Sequence, residues 1–579
     1  MIPVKDNTKV GYYNNGRAIS GQRMLLGQNL SGCHEFSPET YYKDAMKTGY
    51  TSGVGNDLAV GPDASGWFDC TVVGTSWTAI LWAARSELAD DSVAQRSQGR
   101  WVIKWSGTGD IELSSTAGTL VSSVANRAVY DMDSSRATSW LRIDNGYPTD
   151  IVVVKEEDEV AFDAGDDTDS KLISNLAGVP VIRFMDMMNT NASYARDYSE
   201  YQTILGGLDA WSVSPYVPMS KIAEICNLSV SDPWVCIPAM ATDACVTSMA
   251  NDLFAALDVD KKVYVEYGNE IWNFAGAFKN SWRFSFLGDI PVYEATVDPV
   301  TASVNQVAHG LTTGDELSCF NTPEHSVFPY ALGSAAFVIV DDVDNFRLAT
   351  SNALALAGTD DAPLDAKITK LRYKIFADGI LDQFTNYAIR SVEIWDIFKG
   401  VFGDRSINVG GSQAVNVNVT NGILAHQPFR EKFDYIAIAP YFNIDQLTDF
   451  ELKSYAEIQT YLTDVEFPYK KSFVDDQNDV IGRNALLCYE GGDHSFNDAN
   501  TPAQITYIES WATSQENADS FVEYVQMLAD SNVKLFCNFN MTLSSAGGEA
   551  FGMMNDVNDT SAPRYVSYLA EINKGGVGK

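Results

Sequence analysis

Two short segments end an apolar run on a carboxylate. Lys262 to Glu270 (KVYVEYGNE) finishes with Asn269 and Glu270, followed at once by Ile271, Trp272 and Asn273. Asn484 to Glu490 (NALLCYE) finishes with Tyr489 and Glu490, followed by Gly491, Gly492, Asp493 and His494. Two carboxylates at one mouth suit cleavage of a glycosidic bond. One protonates the leaving oxygen, and the other attacks or stabilises the sugar cation. The neighbouring aromatics offer flat faces to sugar rings, and the paired glycines let a substrate approach the backbone closely. Glu266 shares the strand face of Glu270 by period two and competes for the acid role. At 3.3 Å per residue it is expected about 13 Å below the mouth, as a buried, paired carboxylate. His34 and Glu35 follow another apolar run and could reach the same cleft.

The elements that must position these groups are legible as eight near-continuously apolar runs. They are Met24 to Asn29, Pro180 to Asp186, Pro233 to Ala239, Lys262 to Glu270, Arg405 to Gly411, Asp434 to Pro440, Asn484 to Glu490 and Val533 to Asn540. Strands buried on both faces of a parallel sheet read this way. Helical patterns separate most of them, such as PMSKIAEICNL, ATDACVTSMANDLFAALD and FADGILDQFTNYAIRSVEIWDIFKGVFG. The helix after the fifth run, near ILAHQPFREKF, is the weakest. Eight strands with intervening helices predict an α/β fold, a (β/α)8 TIM barrel, whose active site lies at the C-terminal ends of the strands.

Two stretches interrupt that pattern. Residues 65–158 hold short β-rich runs with turn residues between them, which predicts a small antiparallel sandwich. Residues 289–371 read as β-hairpin pieces around Gly turns, a second small β-module. The barrel is then expected over residues 1–64, 159–288 and 372–579. DAGDDTDS (Asp163 to Ser170) is a dense acidic loop without the spaced ligands of a calcium loop, and is expected to be solvated.

The 579 residues carry 76 acids against 40 bases, a formal charge of -36. That argues against nucleic acid or an anionic membrane as partner, and for a neutral or cationic ligand. No run of about 18 apolar residues predicts a membrane span. The N-terminus, MIPVKDNTKVGYYNNGR, has no apolar h-region, so no signal peptide is expected. Release by lysis, a leaderless route or carriage on a particle would then be the ways out of a cell. The eight cysteines show no CxxC and sit in apolar runs, as free buried thiols would. No GxSxG, P-loop, strand-linked GxGxxG or HExxH is present. The five histidines are scattered, so neither a metal nor a cofactor is expected.

EYGNEIWN resembles the acid/base strand of clan A glycoside hydrolases, in which an Asn-Glu pair ends strand four and a nucleophilic Glu ends strand seven. The resemblance implies that Glu270 is the acid/base and Glu490 the nucleophile of a retaining double displacement. It implies that Asn269 hydrogen-bonds the sugar 2-hydroxyl. Arg183, in VIRFMD on strand two, would brace the nucleophile; read structurally, it would pair with Asp186 or another core acid. Tyr441, in IAIAPYF at the end of strand six, would touch the nucleophile. Trp272, Asn273 and His494 complete the expected substrate contacts. Glu270 should hold its proton beside the negative Glu490, and Arg183 should keep Glu490 ionised, giving a bell-shaped pH profile. One departure stands out: clan members often end strand eight with a tryptophan, whereas this chain reads CNFNMTLSSAGGEAFG. The second insert, with VAHGLTTGDELSCF and FVIVDDVDNFRLATS, resembles small β-modules of bacteriophage tail proteins. That resemblance implies a virion-associated glycan depolymerase with other tail proteins as partners; a cytoplasmic location stays open beside it. Two alternatives stay open: a non-catalytic carbohydrate-binding or structural tail protein on the same barrel, and a transglycosylase using the same two acids.

Overall fold

The computed structural model describes residues 13–14, 17–18, 23–33, 37–48, 50–51, 67, 70–71, 77–83, 98–113, 118–132, 138–191, 193, 195–201, 217–274, 278–298, 300–301, 303–320, 335–359, 370–376, 382–496, 499–543, 548–555 and 557–578. His34 and Glu35 lie outside them.

Eight parallel strands close into a barrel: Leu25–Asn29, Val181–Arg183, Asp232–Ile237, Val263–Tyr267, Ser406–Gly411, Tyr435–Ile438, Leu486–Cys488 and Val533–Asn538. They are called barrel strands one to eight below. Seven fall within the apolar runs and strand three begins one residue before its run, at Asp232; strand eight pairs with strand one, Leu535 opposite Leu25, to complete the (β/α)8 fold. Almost every residue of these strands is buried, because helices cover the outside and side chains fill the inside.

The helix Gln383–Phe402 shows how sequence sets the outer layer. Asp382 caps it, accepting from the backbone N–H groups of Phe384 and Thr385. Its apolar stripe of Tyr387, Trp395, Phe398 and Phe402 is buried, and Trp395 also donates to the carbonyl of Val265 on strand four at 3.1 Å. Burying each such side chain contributes about 1.5–3 kcal/mol. The weak pattern after strand five is two helices, Val417–Ala425 and Gln427–Lys432, broken at His426 with Pro428 in the first turn of the second.

Between strand one and its helix lies one six-stranded antiparallel sheet: Tyr50–Thr51, Trp77–Ala83, Gly99–Leu113, Gly118–Val124, Arg127–Met132 and Thr138–Lys155. The sequence pattern predicts two facing sheets there, but the described residues form one. Its two long strands of 15 and 18 residues pair with register shifts between Lys104 and Ser106 and between Asp110 and Ile111, so they read as several short runs.

The second insert is a closed barrel of six antiparallel strands: Tyr293–Val297, Val304–Asn305, Glu316–Phe320, Ala335–Val340, Asn345–Ala349 and Lys370–Ile375. It has its own core around Val304, Leu317, Val338, Phe346 and Tyr373. Its closing strand runs past Leu371 to Ile375. Arg372 to Glu200 at 2.7 Å and Arg283 to Glu316 at 2.8 Å tie it to the main body.

In the acidic loop, Asp163 pairs with Lys104, Asp166 with Lys43 at 2.5 Å and Asp167 with Lys221 at 2.7 Å. Asp169 caps the helix Ser170–Asn175. Among the described residues no cluster of His, Cys, Asp or Glu is suited to hold a metal ion, and no helix is long and apolar enough to cross a membrane. All eight cysteines are buried and stand outside any disulfide.

Candidate active site

Arg183 ends barrel strand two with its side chain inside the barrel, fully buried. All five of its N–H groups are committed. Nη1 donates to Glu490 Oε1 at 2.8 Å and to Asn29 Oδ1 at 3.2 Å. Nη2 donates to Asn269 Oδ1 at 2.7 Å and to Glu266 Oε2 at 3.0 Å. Nε donates to Glu266 Oε2 at 3.1 Å. The rings of Trp234 and Tyr489 lie 5.6 Å and 4.9 Å from the guanidinium carbon. An arginine fork held this way has one orientation.

Glu490 follows strand seven and is 6% exposed. Its Oε1 takes the Arg183 bond and its Oε2 accepts from the Tyr441 hydroxyl at 3.0 Å. The loop beyond it is pinned from below. Asp493 accepts from Trp511 Nε1 at 3.0 Å and Asn517 Nδ2 at 2.7 Å, and lies 3.6 Å from Arg564.

Glu270 follows strand four. The chain leaves that strand at Tyr267 and turns through Gly268 (φ 66°) and Glu270 itself (φ 45°). A left-handed conformation is costly for a side chain with a Cβ, and strain of this kind is characteristic of functional positions. Glu270 Oε1 accepts from the Tyr489 hydroxyl at 3.0 Å, and Oε2 from Asn273 Nδ2 at 3.0 Å. Burial, then the negative charge of Glu490, pushes the Glu270 carboxyl up to about 7, against the pull of Asn273, Tyr489 and Arg183. A carboxyl that keeps its proton near neutrality beside an arginine-braced carboxylate can serve as a general acid.

The sequence-predicted residues fall into two groups. Arg183, Asn269, Glu270, Asn273, Tyr441 and Glu490 belong to one hydrogen-bonded network around the strand ends. His494 sits exposed at its rim, with its ring 5.1 Å from Tyr441 and 4.8 Å from Phe551. Trp272 is not drawn into the network; it is half-buried against the hydrophobic core, and its indole N–H has no partner. Arg183 pairs with Glu266 and Glu490 rather than with Asp186.

Several members escaped the sequence. Tyr489 bridges the two acids, since its hydroxyl reaches Glu270 while the next residue is Glu490. Asn29, ending strand one, accepts from Arg183 and donates to the Tyr489 carbonyl at 2.9 Å. Asn191, in the loop after strand two, accepts from Asn269 Nδ2 at 3.0 Å and so fixes which way that amide faces. Asp186 has its carboxyl pushed up to about 7 by burial and then by Glu490. Only position at a strand end could have pointed to Asn29 and Tyr489. Glu266 is buried and paired, as expected, but one guanidinium links it to Glu490, because strand four ends three residues before Glu270. At the end of strand eight Phe539 lies 6.4 Å from Tyr441 and 5.7 Å from Phe551, ring to ring.

A cavity of about 470 Å³ lies elsewhere, between the inserted sheet and the barrel, lined by Glu39, Lys43, Trp101, Lys155, Asp169 and Asn558 among others; neither Glu270 nor Glu490 lines it.

No family model matches the chain, and no curated protein matches it. Among solved structures, a GH51 arabinofuranosidase from Xanthomonas axonopodis pv. citri is similar at 9% identity and a TM-score of 0.33. That match covers 69% of this chain and 64% of the other, so the chain spans less than two thirds of that protein's length. The CBM22-1-GH10 modules of endo-1,4-beta-D-xylanase 10B from Clostridium thermocellum, solved with xylohexaose, are similar at 9% identity and a TM-score of 0.33, over 93% of this chain and 99% of that one. Likenesses this distant say nothing about the chemistry of this chain.

Proposed function

We infer that the protein is a retaining glycosidase acting on an oligo- or polysaccharide. The observation that carries this reading is the unequal treatment of two facing carboxyls. Glu490 receives a guanidinium and a phenol, which orient its two oxygens as an attacking group. Glu270 is pushed up to about 7 by burial and by Glu490, which suits the proton donor.

In the first step Glu490 attacks the anomeric carbon while Glu270 delivers its proton to the departing oxygen. In the second, Glu270 takes a proton from water, which displaces Glu490 from the sugar. Asn269, its amide held by Arg183 and Asn191, presents its remaining N–H to a sugar hydroxyl. Tyr441, Phe539, Phe551 and His494 make an aromatic wall at the mouth against which a sugar face can pack.

The second insert, a closed barrel with its own core, is consistent with an attachment module, and with carriage on a phage tail particle. The test of the reading is reducing-sugar release from a glycan panel by the natural protein and by Glu270→Gln and Glu490→Gln. Loss of about 10²-fold or more in both variants supports it. Undiminished release by both would end it, and transfer products in place of free sugars would point to the transglycosylase.

A further inference from the structure

The acid beneath the pair, Glu266, has no part in the chemistry above, yet it takes two of Arg183's five N–H groups. Its two oxygens are treated very differently. Oε2 also accepts from Trp234 Nε1 at 2.9 Å and from Cys236 Sγ at 3.4 Å. Oε1 is buried and has no hydrogen-bond partner. Burial raises the Glu266 carboxyl, while Arg183 and Cys236 pull it down; with four donors on Oε2 and no acceptor at Oε1, its hydrogen bonds favour the ionised form. Room for it comes from strand five: a Cβ on Gly411 would lie 2.8 Å from Oε1.

We propose that Glu266 is a positioning residue that divides the charge of Arg183 between two carboxylates, so that Glu490 is oriented but not neutralised. This rests on the glycosidase reading. One cation between two anions leaves a net negative charge at the mouth, and that charge helps Glu270 keep its proton. When the Glu490 oxygen bonds the anomeric carbon and the leaving oxygen takes the Glu270 proton, the charge of Glu490 disappears. Arg183 is then still paired with Glu266, and no buried cation is stranded. The same residue therefore serves both the free enzyme and the glycosyl-enzyme.

The asymmetry of Glu266 supplies a clean variant. In Glu266→Gln the amide carbonyl can occupy the Oε2 position and keep all four donors, while the NH2 group takes the place of the partnerless Oε1. The charge is removed, and the NH2 protons, like a proton on Oε1, find no acceptor there, so folding of the variant is checked first by circular dichroism. With Glu490 left as the one anion paired with Arg183, the acid limb of the kcat/KM–pH profile on a 4-nitrophenyl glycoside should move down by about one pH unit or more, and kcat/KM at the optimum should fall about tenfold. A second readout needs no turnover. Carbodiimide and a small amine modify protonated carboxyls, and peptide mapping should find Glu490 modified only at lower pH in the folded variant than in the natural protein. Shifts in these directions support the proposal. Superimposable profiles for a folded Glu266→Gln overturn it and make Glu266 a packing group. If that variant does not fold, Gly411→Ala decides: its Cβ would lie 2.8 Å from Oε1 and displace the carboxylate that shares Arg183, so both readouts should move, and a folded Gly411→Ala with no movement overturns the proposal. Failure of the natural protein to hydrolyse any glycoside would count against the glycosidase reading, while the labelling result still settles the role of Glu266.

Discussion

Removing the Tyr489 hydroxyl isolates one bond between the two acids. Tyr489→Phe keeps the buried ring that lies 4.9 Å from the guanidinium carbon of Arg183, and deletes only the O–H that donates to Glu270 Oε1 at 3.0 Å. That bond favours the ionised form of Glu270, so its loss raises the carboxyl further above its present value of about 7. A hydrogen bond to a charged group contributes about 1.5–3 kcal/mol, which at about 1.36 kcal/mol per pH unit is an upward shift of about one to two units. Glu270 is half-buried, so water replaces part of the bond and the lower figure is expected. The assay is kcat/KM from pH 4 to 10 on a 4-nitrophenyl glycoside. The basic limb, which reports the acid in the free enzyme, should move from near pH 7 to near pH 8, with the acid limb in place. A basic limb that stays fixed, or moves down, would refute Glu270 as the proton donor held by Tyr489.

Stability should depend on pH in an unusual direction. Burial holds the carboxyls of Glu39, Asp186 and Glu270 up at about 7, and those of Asp44 and Asp232 at about 6. The folded state then binds more protons than the unfolded state between about pH 4 and 7, so stability falls as pH rises through that window. The Tm should be lower at pH 8 than at pH 5 at constant salt; a Tm that climbs over this range would contradict these assignments. Replacing residues 289–376 by a short linker should leave a folded barrel, because the insert closes its own sheet around its own core. The Tm should drop by a few degrees as Glu200 and Arg283 lose their partners. Collapse of the far-UV and near-UV circular dichroism on deletion would show that the insert belongs to the barrel core.

The barrel was legible because its strands are buried on both faces and read as unbroken apolar runs, such as Val263 to Tyr267 and Val533 to Asn538. Glu270 and Glu490 were legible because each lies within three residues of the end of such a strand. Their partners were not. Tyr489 is 219 residues from Glu270 and Asn29 is 154 from Arg183, and only the closed order of the barrel brings them together. Trp272 packs half-buried on the core outside the network, a placement its position beside Glu270 in sequence could not reveal, because an aromatic there looks the same whether it faces a ligand or the core. The first insert misled for a geometric reason: register shifts cut two long strands into pieces that imitate a sandwich.

The central claim, that Glu490 attacks and Glu270 donates the proton, is tested most directly by azide rescue with product stereochemistry read by NMR. Glu490→Ala opens a pocket beside the anomeric carbon, so azide should attack an activated aryl glycoside there and give a glycosyl azide of inverted configuration. Glu270→Ala still forms the glycosyl-enzyme from the same glycoside, so azide should give a product of retained configuration. That pair of outcomes is the predicted result. The opposite pairing would reverse the two assignments, and full activity of both variants on natural glycan would contradict the account.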